Sequence, residues 1–281
     1  MIKKIIALVL FVGLTYTTNA QVETPQPSPF SKVEQKVGLT DVTIEYSRPG
    51  VKGRAIFGDL VPFGKTWRTG ANANTKITFS NDVTIGETTL KAGTYAIYTI
   101  PNKESWDVLF YTDSENWGTP RKWDESKVAA KVAAQVHEVP FNVESFTIDI
   151  NNLQSDSATL EMIWEKTFIA VPFSVPTDEV ASASIEKTMA GPSINDYFSS
   201  AKYYFDSGKD LNKAKKWIDS AVSTSEEPAF WHIRLQSLIY AKLGDKKGAI
   251  KAAKRSLELA TEAGNADYVK MNKESIAEWA K

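Results

Sequence analysis

The hydrophobic pattern of this chain changes its period near Pro176, and that change constrains the fold more than any other feature of the sequence. Before Pro176, apolar and polar residues alternate in short runs such as VTIEY at residues 42–46, which is the period of a half-buried β-strand. After residue 192, apolar residues recur at the spacing of an amphipathic helix. The sequence therefore predicts an all-β domain followed by an all-α domain.

The β region, residues 33–176, contains several short β-type runs separated by turn-forming pairs such as Asn81-Asp82 and Ala92-Gly93. The runs are residues 42–46, 76–79, 94–100, 106–111, 146–150 and 158–164. Many short strands at this spacing are typical of an antiparallel sandwich. Residues 127–139 fit a helical face as well as a strand face, and we favour a strand because Pro140 and the following β run limit a helix.

Residues 1–20 have the composition of a secretory signal. Lys3 and Lys4 form a basic start, residues 5–14 form an apolar run, and Thr18-Asn19-Ala20 supplies small residues for cleavage. The apolar run is shorter than the roughly 20 residues that span a bilayer. We therefore expect cleavage after Ala20 and an extracytoplasmic mature protein, periplasmic or secreted, with no membrane span.

Two segments have the composition of connectors. Prolines alternate with other residues through the segment 21–32, which predicts an extended tether because proline donates no hydrogen bond to a strand ladder. Residues 177–192 are rich in Ala, Ser and Thr with few large apolar residues, which predicts a linker or a loosely packed connector. The chain has no cysteine, so disulfides, thiolate nucleophiles, cysteine-ligated zinc and a lipid anchor on cysteine are excluded.

The helical region, residues 193–281, contains an internal repeat. Gly208 lies 36 residues before Gly244, and Ala214 lies 35 residues before Ala249. This period is that of helical-hairpin repeats. The second copy, YAKLGDKKGAIKAAKRSLELA, resembles the tetratricopeptide family, and we expect this module to contact a protein partner. Its lysines form either solvated outer faces or a basic groove for an acidic peptide.

Positive charge is concentrated in one irregular segment, SRPGVKGRAIFGDLVPFGKTWRTGANA at residues 47–73. From residue 48 to residue 76 the chain carries six cations and one acid, a local charge of +5, while the formal net charge of the whole chain is −1. The nearly neutral total gives no general attraction for nucleic acid, and no nucleic-acid partner is expected. The cause of the charge should therefore be local to this segment.

Two interpretations of this segment stay open. In the first, arginine side chains present planar donors to a carboxylate, phosphate or sulfate, an asparagine adds an amide, and a tryptophan lines the pocket. In the second, the arginines bond to backbone carbonyls and to carboxylates of the sandwich, while Trp67 and Phe57 close one end of the core. The candidate ligand-binding residues are Arg48, Lys52, Arg54, Lys65, Trp67, Arg68 and Asn72.

A second loop, residues 115–124, carries two tryptophans. Trp117 and Trp123 offer stacking surfaces for sugar rings in one interpretation, while in the other one ring belongs to the core and the other is half exposed. The loop gains weight as a site if it shares a face with the cationic segment.

The cationic segment also carries a family resemblance. Its motifs YSRP, VKGR, IFG, LVP, GK and WRTGAN, followed by AGTY at residues 92–95, resemble an uncharacterised family of secreted bacterial proteins, domain of unknown function 2911. The resemblance covers roughly residues 33–175. It implies a single β domain with these residues as a signature, and it implies no activity. The helical repeats resemble an addition that some members carry.

Motifs of catalysis are nearly absent from the sequence. The two histidines, His137 and His232, do not have the His-x-x-x-His spacing, so no metal site and no cofactor are expected. The pattern Ser-x-x-Lys at residues 184–187 is not followed by the Ser-Asp-Asn or Lys-Thr-Gly motifs of penicillin-binding enzymes. Acids are plentiful, so paired carboxylates for glycoside cleavage stay open.

The leading hypothesis is a non-enzymatic binding or scaffold protein. Its sandwich holds a small anionic or polar ligand at the cationic loops, and its helical module contacts another protein. The alternative is a hydrolase or lyase acting on envelope glycans or peptides, with Arg54 and Arg68 holding the substrate. A third possibility is a structural loop segment with an adaptor function in the helices alone.

Overall fold

Ten β-strands are followed by six α-helices in the computed structural model, which describes residues 24–189 and 191–281. This order confirms the predicted fold class, an antiparallel β-sandwich followed by an all-α region. The chain divides into two compact units between Ser174 and Val175. The predicted signal peptide, residues 1–20, lies outside the described residues.

The strands of the first unit form two sheets. They are β1 (Phe30–Val37), β2 (Thr40–Ser47), β3 (Thr75–Phe79), β4 (Val83–Ile85), β5 (Thr88–Leu90), β6 (Gly93–Ile100), β7 (Ser105–Tyr111), β8 (Val128–Gln135), β9 (His137–Asn151) and β10 (Ser157–Ser174). One sheet has the order β1-β2-β3-β6-β7-β8, the other has the order β5-β4-β10-β9, and all pairings are antiparallel.

Aromatic side chains join the two sheets. Tyr46 of β2 meets Phe146 of β9 edge to face, with ring centroids 6.1 Å apart, and its hydroxyl donates to the carbonyl of Ile148 at 3.1 Å. Phe79 of β3 packs against Phe173 of β10 at 5.9 Å. Alternate residues of each strand point into this interface, as in β2 and β3. Burying each such side chain contributes about 1.5–3 kcal/mol to stability.

Residues 128–135 form strand β8, which confirms the strand interpretation of that ambiguous stretch. The strands β9 and β10 extend well beyond the predicted runs, and their pairing is irregular around Glu165, which has a φ of 51°. Pro140 is tolerated within β9 because β9 lies at the edge of its sheet, where one side of the strand needs no ladder hydrogen bonds.

The second unit is helical. Its helices are α1 (Thr177–Thr188), α2 (Ile194–Asp206), α3 (Leu211–Thr224), α4 (Phe230–Lys242), α5 (Lys246–Glu262) and α6 (Ala266–Trp279). Side chains at the N-cap start four of them: Ser193 in a capping box, then Asp210, Asp245 and Asn265. The predicted linker, residues 177–192, therefore contains a helix, α1.

Candidate functional site

After Ser47, the last residue of β2, the cationic segment lies between β2 and β3 and contains no regular strand or helix, as its composition predicts. Backbone hydrogen bonds fix both of its ends. The N–H of Val51 donates to the carbonyl of Glu144 at 2.8 Å, while Trp67 and Thr99 exchange two backbone bonds of 2.7 and 2.9 Å. The segment is therefore held between β9 of one sheet and β6 of the other.

Arg48 and Arg54, two predicted ligand-binding residues, bond to the protein itself. Nε of Arg48 donates to the carbonyl of Phe146 at 3.0 Å, and its Nη2 donates to Oγ1 of Thr147 at 2.6 Å. Nε of Arg54 donates to the carbonyl of Val51 at 3.0 Å, and its Nη2 donates to that of Gly50 at 2.6 Å. Both guanidinium groups donate hydrogen bonds to backbone carbonyls, which is the arrangement described by the second interpretation of this segment.

Asn72 and Lys52 hold the proline-rich segment. Nδ2 of Asn72 donates to the carbonyl of Ser28 at 3.1 Å, and Nζ of Lys52 donates to that of Pro27 at 3.2 Å. The backbone N–H of Arg48 also donates to the carbonyl of Pro29 at 2.9 Å. Residues 27–29 are thus bound to the cationic segment, and β1 begins at Phe30, where the sequence predicted a tether through residue 32.

Trp67 belongs to an aromatic cluster between the sheets. Its ring stacks on that of Trp164, with centroids 5.9 Å apart and planes 16° apart, and it contacts Phe146 at 5.1 Å and Trp106 at 6.1 Å. Nε1 of Trp67 donates to the carbonyl of Gly70 at 3.2 Å. The ring therefore contributes to the core, as the second interpretation expects.

Trp67 also lines an open cleft of about 380 Å³. The cleft is lined by Leu60, Val61, Pro62, Lys65, Thr66, Trp67, Arg68 and Thr119. Three of the seven predicted site residues, Lys65, Trp67 and Arg68, meet there, while the other four do not line it. The cleft combines two cations, two hydroxyl groups and an apolar side, and none of the described residues that line it is acidic.

Most N–H donors of the Arg68 side chain are free to bind a ligand in the cleft. Its side chain is half buried, and within the described residues its hydrogen bond goes from Nη1 to the carbonyl of Asn72 at 3.1 Å. Because a guanidinium group has five N–H donors in a planar fork, donors remain for a carboxylate, phosphate or sulfate. Lys65 adds a second cation at the solvent-exposed side of the cleft.

Sequence reasoning missed Thr66 and Thr119 as lining residues. Thr119 comes from the loop after β7, which only the tertiary structure brings to the cleft. The available signal was Gly118, whose φ is +70° and whose position would place a Cβ atom 2.9 Å from Nη1 of Arg68. A glycine at this position lets the loop approach the guanidinium closely.

Two acids near this loop have lowered pKa values. A hydrogen bond from Lys127 lowers the pKa of Asp113, and one from Lys76 lowers the pKa of Glu115. A general acid at neutral pH requires the opposite shift. These two carboxyl groups therefore do not have the raised pKa expected of a proton donor.

Among the described residues, every helix is too short or too polar to span a membrane.

The fold and the cleft define a class of protein: a two-sheet antiparallel β unit with a cationic cleft in the loop between its second and third strands, followed by a helical unit. A family model described as a protein of unknown function (DUF2911) matches residues 28–173, more than half of the chain. The chain therefore belongs to this family, and all seven predicted site residues lie within the match. Comparisons with curated proteins and with solved structures gave no match.

Proposed function

We propose that this protein is an extracytoplasmic, non-enzymatic binding protein. Its β unit takes a small anionic or polar ligand in the cleft at Lys65 and Arg68, and its helical unit contacts another protein. The observation that carries the proposal is the composition of the cleft, which pairs two cations and two hydroxyl groups with no acid among its described lining residues. A volume of about 380 Å³ falls within the range of small-molecule sites.

Electrostatics supports an anionic ligand. A carboxylate or sulfate in the cleft would accept charge-assisted hydrogen bonds from Arg68, which are about twice as strong as neutral ones. The loop is already fixed by its backbone bonds to Glu144 and Thr99, so binding costs little ordering of the protein. The alternative hydrolase or lyase needs a proton-transfer group beside the substrate, and the lining residues do not supply a carboxyl group for this role.

Calorimetric titration of the mature protein with sulfate, phosphate and glucuronate tests the proposal. We expect Arg68→Gln and Lys65→Gln to weaken or abolish binding. The matched control is Arg54→Gln, which removes the same charge from a guanidinium that bonds Val51 and Gly50 outside the cleft. Equal weakening by all three variants would mean a diffuse charge effect, and no binding by the wild type would refute an anion site.

The helical unit fits the tetratricopeptide-like part of the proposal. Gly208 follows α2 and Gly244 follows α4, both with positive φ values of 65° and 85°, so the repeated glycine ends the first helix of each pair. The repeated alanines, Ala214 in α3 and Ala249 in α5, are both fully buried.

Cross-linking of the full chain in an envelope fraction tests for a protein partner of the helical unit. Variants that lack the surface lysines of the helices test whether these lysines take part in the contact.

The location outside the cytoplasm rests on the N-terminal pattern of residues 1–20. Mass spectrometry of the protein purified from its own cells gives a direct test. We expect an N-terminus at Gln21, and an N-terminus at Met1 in most of the protein from whole cells would contradict this part of the proposal.

A further inference from the structure

Trp117 is the most exposed large hydrophobic side chain of the described residues. Its relative exposure is 74%, against 2% for Trp106 and 1% for Trp164. Trp117 lies in the segment between β7 and β8, residues 112–127, while Trp123 of the same segment packs against Tyr98 and Tyr111. Tryptophan is enriched at binding interfaces, because its indole combines a large apolar surface with one polar N–H group.

Hydrogen bonds hold the two residues that flank Trp117, through the side chain of Asn116 and the carbonyl of Gly118. Nδ2 of Asn116 donates to the carbonyl of Gly118 at 2.8 Å and to the hydroxyl of Tyr98 at 3.1 Å. Nδ2 of the buried Asn74 donates to Oδ1 of Asn116 at 2.9 Å. The hydroxyl of Tyr98 also donates to the carbonyl of Gly118 at 3.0 Å. The loop therefore presents Trp117 from a fixed backbone.

The same loop forms one side of the cationic cleft. A Cβ atom on Gly118 would lie 2.9 Å from Nη1 of Arg68, and Thr119 lines the cleft. Trp117 is thus next in sequence to the glycine that lies against Arg68 and two residues from Thr119, but Trp117 itself is not among the residues that line the cleft. The loop that carries Trp117 therefore borders the cleft, and a ligand held by Arg68 must extend beyond the cleft to reach the indole.

We propose that the ligand of this cleft is an acidic carbohydrate, with its anionic group on Arg68 and Lys65 and a sugar ring against the indole of Trp117. This inference rests on the proposed function and specifies its ligand class. The C–H face of a pyranose ring is apolar and flat enough to pack on an indole, while its hydroxyl groups pair with hydroxyls such as those of Thr66 and Thr119. A free inorganic anion would leave the exposed ring without a role.

Titration with tetragalacturonate, galacturonate and the neutral maltotetraose tests the inference, with binding followed by calorimetry and tryptophan fluorescence. We expect tetragalacturonate to bind more tightly than galacturonate, and maltotetraose to bind much more weakly. Trp117→Ala should weaken tetragalacturonate binding about tenfold and remove most of the fluorescence change. The matched control is Trp231→Ala, which removes a 43% exposed tryptophan from α4 of the other unit.

The outcomes separate this inference from the proposal on which it rests. If Arg68→Gln abolishes binding of sulfate and galacturonate while Trp117→Ala changes nothing, the anion site stands and the carbohydrate inference is overturned. Equal binding of maltotetraose and tetragalacturonate would also overturn it, because the cations would then select nothing. If the wild type binds neither the uronates nor inorganic anions, both proposals fail.

Discussion

Arg48 and Arg68 lie 20 residues apart in one loop segment, yet their surroundings differ. Arg48 donates to Phe146 and Thr147 at 3.0 and 2.6 Å, so its guanidinium ties the segment to β9. Arg68 donates to Asn72 at 3.1 Å and otherwise faces an open cleft. A single cationic segment therefore contains a part that holds the fold together and a part that can hold a ligand, and the local charge alone does not distinguish them.

The largest expected effect is on stability and comes from the aromatic cluster between the sheets, in which Trp67 of the cationic segment packs against Trp164. Trp164 is 1% exposed and stacks on Trp67, so Trp164→Ala should lower the free energy of unfolding by about 3–5 kcal/mol through loss of burial and formation of a cavity. Urea unfolding of the β unit within the full chain measures it. Trp117→Ala is the control and should change stability by less than about 0.5 kcal/mol. A small decrease in the free energy of unfolding of Trp164→Ala would contradict the role of this cluster in stabilising the β unit.

The direct test of the comparison exchanges the two arginines for alanine. Arg48→Ala should cost about 1–3 kcal/mol because it removes two part-buried hydrogen bonds, to Phe146 and Thr147, and it should leave sulfate binding unchanged. Arg68→Ala should cost less than about 1 kcal/mol and abolish sulfate binding. Denaturant unfolding and calorimetric titration of both variants give the answer. The opposite pattern of losses would reverse the roles assigned to the two residues.

Gly118→Ala sharpens the comparison on the side of the cleft. Gly118 has a φ of +70°, and a Cβ atom there would also meet Nη1 of Arg68 at 2.9 Å. We expect a loss of about 1–2 kcal/mol from the left-handed backbone, together with weaker sulfate binding because the guanidinium must move. Gly53→Ala is the matched control, since its φ is +68° and no atom lies within 4 Å of the added Cβ. Equal sulfate affinity of Gly118→Ala and Gly53→Ala would contradict the close approach of Gly118 to Arg68.

The smallest expected effect lies in the helical unit and concerns the buried His232. His232 is 6% exposed, packs against Phe198 with ring centroids 4.5 Å apart, and has no hydrogen-bond partner on Nδ1 among the described residues. Burial lowers the pKa of His232 below its ordinary value of 6.5. The unfolded state therefore binds the proton more readily than the folded state does.

Stability from His232 is thus fully present above about pH 6.5 and is lost as the pH falls toward the lowered pKa, with a slope of at most about 1.4 kcal/mol per pH unit. Calorimetric unfolding at several pH values between 7.5 and 5.5 measures the slope. His232→Phe should reduce this slope, because it removes the buried titrating group. An unchanged slope in His232→Phe would contradict the assignment.

Local pattern predicted most of the strands, because alternation in runs such as residues 42–46 and 94–100 reports directly on one buried face. The hairpin of β4 and β5 was missed, since each strand has three residues and shows too little alternation to detect. Helix α1 was also missed. Its polar sequence is held by contacts made within the helical unit, where Asp178 accepts from Tyr203 at 2.8 Å and from Lys209.

The sequence by itself determined the two fold classes, the position where they change, the family and the segment in which the unusual charge lies. These properties depend on residue types and short spacings, which the chain carries locally. Only the tertiary structure decided which cations face a cleft. Arg48 meets acceptors 98 and 99 residues away, and Arg68 meets a loop 50 residues away at Gly118. A guanidinium has the same donors in both places, so its role is fixed by which acceptors the packing of distant strands brings within hydrogen-bonding distance.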